Sequence, residues 1–193
     1  MEIHLYAKQT ERLDAFDGVL EALRLPVRDL RYSGEHDRAW RVLDDTIGRM
    51  ERGDVLCVTG LESLGETPDD MALRMGAVIM KNCRIVVASV SATYEFGLEP
   101  VLNKAVASAV IQGLRTGQAD NRPFVRQPGA GRPRLDFPEG WAELYDQWEK
   151  GRISSKAFLE ASGLKKATFY NKLADYRELR EFNIRYLLEH GIA

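Results

Sequence analysis

The 193-residue sequence predicts an α/β protein, a mostly parallel sheet flanked by helices, followed by a small all-α module. Three observations predict it. Short apolar runs such as Val55-Leu56-Cys57-Val58 and Ile85-Val86-Val87 are what strands buried on both faces require. Stretches with apolar residues at helical spacing separate these runs, so strand and helix alternate through the first half. Beyond residue 117 the composition turns to Gly, Pro and Arg, and after that only helical patterns remain.

Met1 to Lys8, with Ile3, Leu5 and Tyr6, reads as the first strand. Thr10 opens a helical stretch carrying Leu13, Phe16, Leu20 and Leu23, and Pro26 ends it. A short polar strand is expected from Val27 to Tyr32, with Ser33-Gly34 as a loop. A helix follows from Arg38 to Arg52, closed by Gly53. Asp54 to Gly60 is a buried strand. Thr67-Pro68-Asp69-Asp70 starts a helix strongly: a hydroxyl cap, proline at the first position, then two acids on the positive end of the dipole. That helix runs to about Lys81, and Arg84 to Val90 is the fourth strand. Glu99 to Leu114 is an alanine-rich helix whose wide apolar face suits contact with a second copy of the chain.

The last third divides into Pro138 to Lys150, a short helix capped by Ser154 or Ser155, Lys165 to Ala174, and Glu178 to Glu189. Two short helices joined by the turn Ser162-Gly163-Leu164 make a helix-turn-helix pattern. On its second helix Lys165, Lys166, Thr168, Tyr170, Asn171 and Lys172 need not face a core, and they are the residue types that meet phosphates and base edges in a major groove. Ahead of it, Gly131-Arg132-Pro133-Arg134 forms an extended arm whose Arg132 and Arg134 suit a narrow minor groove. Charge agrees: residues 1–121 carry 14 basic and 19 acidic side chains, whereas 122–193 carry 13 and 10, so double-stranded DNA is the expected partner of the C-terminal part. The boundaries that follow are 1–117 for the α/β domain with its dimerisation helix, 118–137 for the basic linker and arm, and 138–193 for the reading module.

Other classes are excluded. No window holds about 18 consecutive apolar residues, so no membrane span is expected. Met1-Glu2-Ile3-His4 lacks the features of a secretory leader. Cys57 and Cys83 lie in apolar runs as reduced thiols, and His4, His36 and His190 have no ligand spacing, so neither metal nor cofactor is expected. The expected location is the cytoplasm, on the nucleoid.

With these residues in place, the chain resembles the serine recombinases, the small resolvases and DNA invertases. Gly131 to Arg134 ahead of a three-helix module is similar to that family's arm and reading domain. Tyr6-Ala7-Lys8-Gln9-Thr10 sits where the family has Tyr-Ala-Arg-Val-Ser, and Ser33-Gly34 followed by Asp37-Arg38 where it has a Ser-Gly loop and an active-site arginine. Gly53 to Val58 matches its GDxLxV strand, and Leu61 to Glu66 lies on its Leu-Asp-Arg-Leu-Gly-Arg turn.

The resemblance implies strand cleavage by a serine hydroxyl, with arginines holding the phosphate and its growing charge. This chain departs at most of those positions. Thr10 stands at the nucleophile, Lys8 replaces an arginine, and Ser63 and Glu66 replace the two arginines of the turn. Glu62 keeps the family's acid, and Ser33 and Arg38 keep theirs. One lost transition-state donor costs roughly 10²–10³ in rate, so these losses together reach about 10⁵. The expected protein is therefore a catalytically inactive, sequence-specific DNA-binding homodimer, a transcriptional or architectural regulator. The alternatives are an active recombinase using Thr10, or a regulator that forms mixed dimers with an active relative.

Overall fold

In the computed structural model, described for residues 1–36, 39–117 and 137–192, four strands form one all-parallel sheet in the order β2-β1-β3-β4. They are β1 (Ile3–Lys8), β2 (Leu30–Glu35), β3 (Val55–Val58) and β4 (Arg84–Val87). Both faces of the sheet are covered, which is why all four residues of β3 are buried. Two apolar clusters share the strands by alternation: Tyr6, Leu56 and Val58 on one face, Ile3, Leu5, Val55 and Cys57 on the other.

The helices of the first half are α1 (Asp17–Leu23), preceded by a 3-10 turn Leu13–Phe16, then α2 (Arg41–Arg49), α3 (Pro68–Met80) and α4 (Pro100–Gly117). α3 starts as its sequence requires: the Thr67 hydroxyl accepts from the Asp70 amide, and the Asp70 carboxylate accepts from the Thr67 amide. Several elements differ from expectation: the helical stretch expected from Thr10 begins at Leu13, and the strand expected over Val27–Tyr32 runs from Leu30 to Glu35. Ser33 and Gly34 lie in β2 rather than in a loop, because they pair in register with Tyr6 and Ala7 of the central strand. α2 begins at Arg41 rather than Arg38, because its cap comes from outside the helix. The buried carboxylate of Glu35, the last residue of β2, accepts from the amides of Val42 at 2.8 Å and Leu43 at 3.2 Å and from the Tyr6 hydroxyl at 2.7 Å.

β4 is an edge strand whose open side is closed by side chains. Asn103 of α4 accepts from the Ile85 amide at 3.0 Å and donates to the Ile85 carbonyl at 2.8 Å. The Thr93 hydroxyl accepts from the Val87 amide at 3.0 Å. A further strand has nothing to pair with at these positions.

After residue 136 come α5 (Trp141–Glu149), α6 (Ser155–Ser162) and α7 (Lys166–Glu189). Ser154 caps α6, and Gly163 at φ 64° turns the chain between α6 and α7, a conformation that glycine adopts without strain. The two helices expected over Lys165–Ala174 and Glu178–Glu189 are one helix of 24 residues. Its first half contributes Phe169, Leu173 and Tyr176 to a third cluster, built around Trp141, Tyr145 and Phe158. Its second half leaves that cluster and places Tyr186 in the core of the α/β domain, beside Leu13, Phe16 and Val19.

Candidate functional site

In parallel sheets the side chains that meet ligands stand beyond the carboxyl ends of the strands. Here that edge is formed by Lys8 closing β1, Glu35 and His36 at the end of β2, and Thr59 after β3, followed by the 3-10 turn Leu61–Leu64. The turn lies hard against the start of α3: a Cβ on Gly65 would stand 2.5 Å from the Asp70 Cβ, so only glycine fits there.

Glu11 fills the centre of this edge. Its carboxylate accepts from the Thr59 hydroxyl at 2.5 Å, the Ser63 hydroxyl at 2.8 Å and the Lys8 amide at 2.8 Å, and the two hydroxyls are 2.7 Å apart. Ser63 is fully buried in this ring. Three oxygen–oxygen contacts need three protons. An ionised carboxylate leaves two, whereas a neutral carboxyl supplies the third. Burial pushes the Glu11 carboxyl above its ordinary range, with the charge of nearby Glu62 adding, against the hydrogen bonds from Thr59, Lys8 and Ser63 that pull it down.

The folded protein therefore holds this proton to higher pH than the unfolded chain. Stability falls as pH rises from the ordinary carboxylate value of about 4.3 through the raised one. A Glu11→Gln variant has no such proton, and its amide can donate to Ser63 while its carbonyl accepts from Thr59. Its melting temperature relative to the parent is expected to climb as pH rises above about 4.3, measured by thermal melts in matched buffers. A difference that stays flat would show that folding leaves the Glu11 carboxyl at its ordinary value.

Two cations described at this edge, Lys8 and Arg74, are engaged. The Lys8 ammonium, on a residue only 5% exposed, donates to the carbonyls of His36 and Ala39 and lies 4.3 Å from the centre of the Trp40 ring. Arg74 of α3 donates to Asp44 at 2.7 Å and to the Leu64 carbonyl at 2.9 Å, and it also faces Trp40. Thr10 is half-buried, and Glu62 and Glu66 are exposed, so the rim carries carboxylates. Ser33 is half-buried one strand away, opposite Tyr6. Arg38 lies outside the described residues. The edge thus gathers the Lys8 amide, Thr59 and Ser63 around the Glu11 carboxyl, and Thr10 precedes Glu11 in the chain. Glu11, Glu35, Trp40 and Arg74 were missed; the available signal was an acid directly after Thr10.

α7 runs along the same segment. Tyr176 reaches Gln9 at 3.5 Å, and the Arg12 guanidinium stacks on Phe182 at 4.0 Å. The Asn183 amide grips the backbone on both sides of Arg12: it donates to the Glu11 carbonyl at 2.9 Å and accepts from the Leu13 amide at 3.1 Å. Tyr186 donates to Asp17 at 2.8 Å. From α5, Asp146 meets His36 at 3.2 Å.

At the other end of α7, Lys165, Lys166, Tyr170 and Asn171 are exposed and Thr168 is half-buried. Lys172 departs from expectation. It is 8% exposed, paired with Asp175 at 3.4 Å and seated 5.0 Å from the centre of the Phe137 ring, because its helical position turns it toward the aromatic cluster. It is not available to a groove. Arg132 and Arg134, with the rest of the arm and linker, lie outside the described residues. Among the described residues no helix is long and apolar enough to cross a membrane. No protein-family model matches this chain, and no curated protein matches it.

Proposed function

We propose that this protein binds double-stranded DNA through the α6–α7 module without cutting it, as a silent relative of the serine recombinases that regulates transcription or DNA architecture. The observation that carries the reading is the first two turns of α7. Lys165, Lys166, Tyr170 and Asn171 stand exposed there while Phe169 and Leu173 anchor the helix from behind. Exposed amides and lysines at a helix start suit phosphate, and Asn171 suits an adenine edge.

Silence follows from the sheet edge. A scissile phosphate would meet the Glu11 carboxyl and the exposed Glu62 and Glu66, whereas among the described residues Lys8 and Arg74 are spent on carbonyls and on Asp44. A homodimer is part of the proposal. α3 and α4 pack together and leave Leu73, Met80, Val101 and Leu102 exposed, which favours a second copy against them.

The test is capture of sheared genomic DNA, sequenced with and without a detergent wash. A short inverted repeat that is enriched and lost in detergent is the expected result. Lys165→Ala with Lys166→Ala should weaken binding uniformly and flatten the salt dependence by about two ions, and Asn171→Ala should cost about 1–3 kcal/mol at one base position. Thr10→Ala should change nothing. Fragments that survive detergent with fixed ends, lost in Thr10→Ala, would overturn the silent reading in favour of an active recombinase.

A further inference from the structure

We propose that the docked arrangement seen here is the DNA-binding state: α7 is a rigid arm, seated by its second half on the segment from Gln9 to Asp17, that presents its first half to DNA. The proposal rests on the DNA-binding reading and adds where the head is held when it binds.

Four observations carry it. α7 is one unbroken helix of 24 residues, about 36 Å at roughly 1.5 Å per residue, so a force at one end is felt at the other. The seat is built like an interior: Tyr186 and Ile192 are 5% and 7% exposed and share a cluster with Phe16 and Val19, both fully buried. Asn183 satisfies a donor and an acceptor of the opposing backbone at once, which fixes register as well as contact. Finally, the residues proposed to read DNA are exposed while the seat is closed, so reading does not require the head to leave. The consequence concerns Thr10. With α7 contacting Gln9 and Glu11 on either side of it, half-buried Thr10 is held beside the arm while DNA lies at the far end of the helix. The former catalytic edge serves as the mounting for the reading head.

The Leu13 amide reports the seat directly. It is the first residue of its 3-10 turn, so its partner is Asn183 rather than a carbonyl of the turn. Amide hydrogen exchange is followed residue by residue in the full chain, free and with a saturating pool of random-sequence duplex DNA. Leu13 should be protected in the free protein and equally protected with DNA. Asn183→Ala should lower that protection about tenfold or more. Tyr186→Phe, which keeps the ring and loses only the bond to Asp17, should lower it less and serves if Asn183→Ala fails to fold. An unprotected Leu13 in the free protein would overturn the seat. Protection lost when DNA binds would overturn the proposal by showing that the head lifts off to read. A protected Leu13 in a protein that retains no duplex would also overturn it, and would place the failure in the DNA-binding reading rather than in the seat.

Discussion

Replacing Trp141 with alanine is expected to melt the α5–α7 head, and with it the proposed DNA binding, while leaving the sheet folded. Trp141 is fully buried, and its ring lies 4.8 Å from Phe158, 5.7 Å from Phe169, 6.0 Å from Phe137 and 6.5 Å from Tyr176, so every helix of the module touches it. Truncating a buried aromatic of this size costs about 3–5 kcal/mol. A module this small has little more than that to lose. The second half of α7 packs in a different cluster, so Tyr186 should keep its place and the first-domain core its protection. Urea melts followed by near-ultraviolet circular dichroism for the head, and by amide exchange for the sheet, separate the two. Trp141→Phe is the control. It keeps a ring in the cluster and removes an indole N–H that has no partner among the described residues, so its loss should be well under half that of alanine. A single cooperative loss of both parts in Trp141→Ala would show that the head and the sheet fold as one unit.

Asn103→Ala should be the most damaging single change in the α/β domain. The side chain is 3% exposed and makes three bonds to backbone groups: from the Ile85 amide, to the Ile85 carbonyl and to the Thr93 carbonyl at 3.1 Å. Alanine leaves these groups buried and unpaired, at about 1–3 kcal/mol each and less than additively, so a total of about 3–5 kcal/mol is expected. Asn103→Asp tests the chemistry at constant shape. A carboxylate can accept from Ile85 but cannot donate to either carbonyl, so aspartate should rescue little. Both variants also open β4 as a pairing edge and should aggregate on partial unfolding, visible as light scattering below the melting midpoint. Variants that melt with the parent would mean that water replaces the amide.

The sheet was legible because strands buried on both faces need unbroken apolar runs, and Val55–Val58 and Arg84–Val87 carry them in plain view. The Thr67 cap was equally plain, since its signature is local. What could not be read depends on contacts across the chain. The role of Glu35 as a cap for α2 is decided by sheet register, which brings the end of β2 against a helix that starts six residues later. The continuity of α7 was hidden for a different reason. Its apolar stripe faces the aromatic cluster as far as Leu179 and then another core at Tyr186, so one helix shows two patterns. The absence of Gly and Pro between Lys165 and His190 was the better guide. At the candidate site, the carboxylates of Glu62 and Glu66 could be counted from the sequence. The buried carboxyl at its centre could not, because Glu11 reads as an ordinary helix-start acid until Thr59 and Ser63 are seen to converge on it.

The seat of α7 also sets an order of events during synthesis. Leu13 and Asn183, which bond across it, are 170 positions apart in sequence. At roughly 5–20 residues per second, on the order of ten seconds or more pass between the emergence of one and of the other. For that interval Leu13, Phe16 and Val19 lack Tyr186 and Ile192, the neighbours that complete their cluster. The cluster that opens the chain is thus the last to be finished. A ribosome stalled between α4 and α7 would release a protein whose strands are all present but whose Leu13–Val19 face lacks its roof, a species that quality-control factors can recognise by that apolar surface.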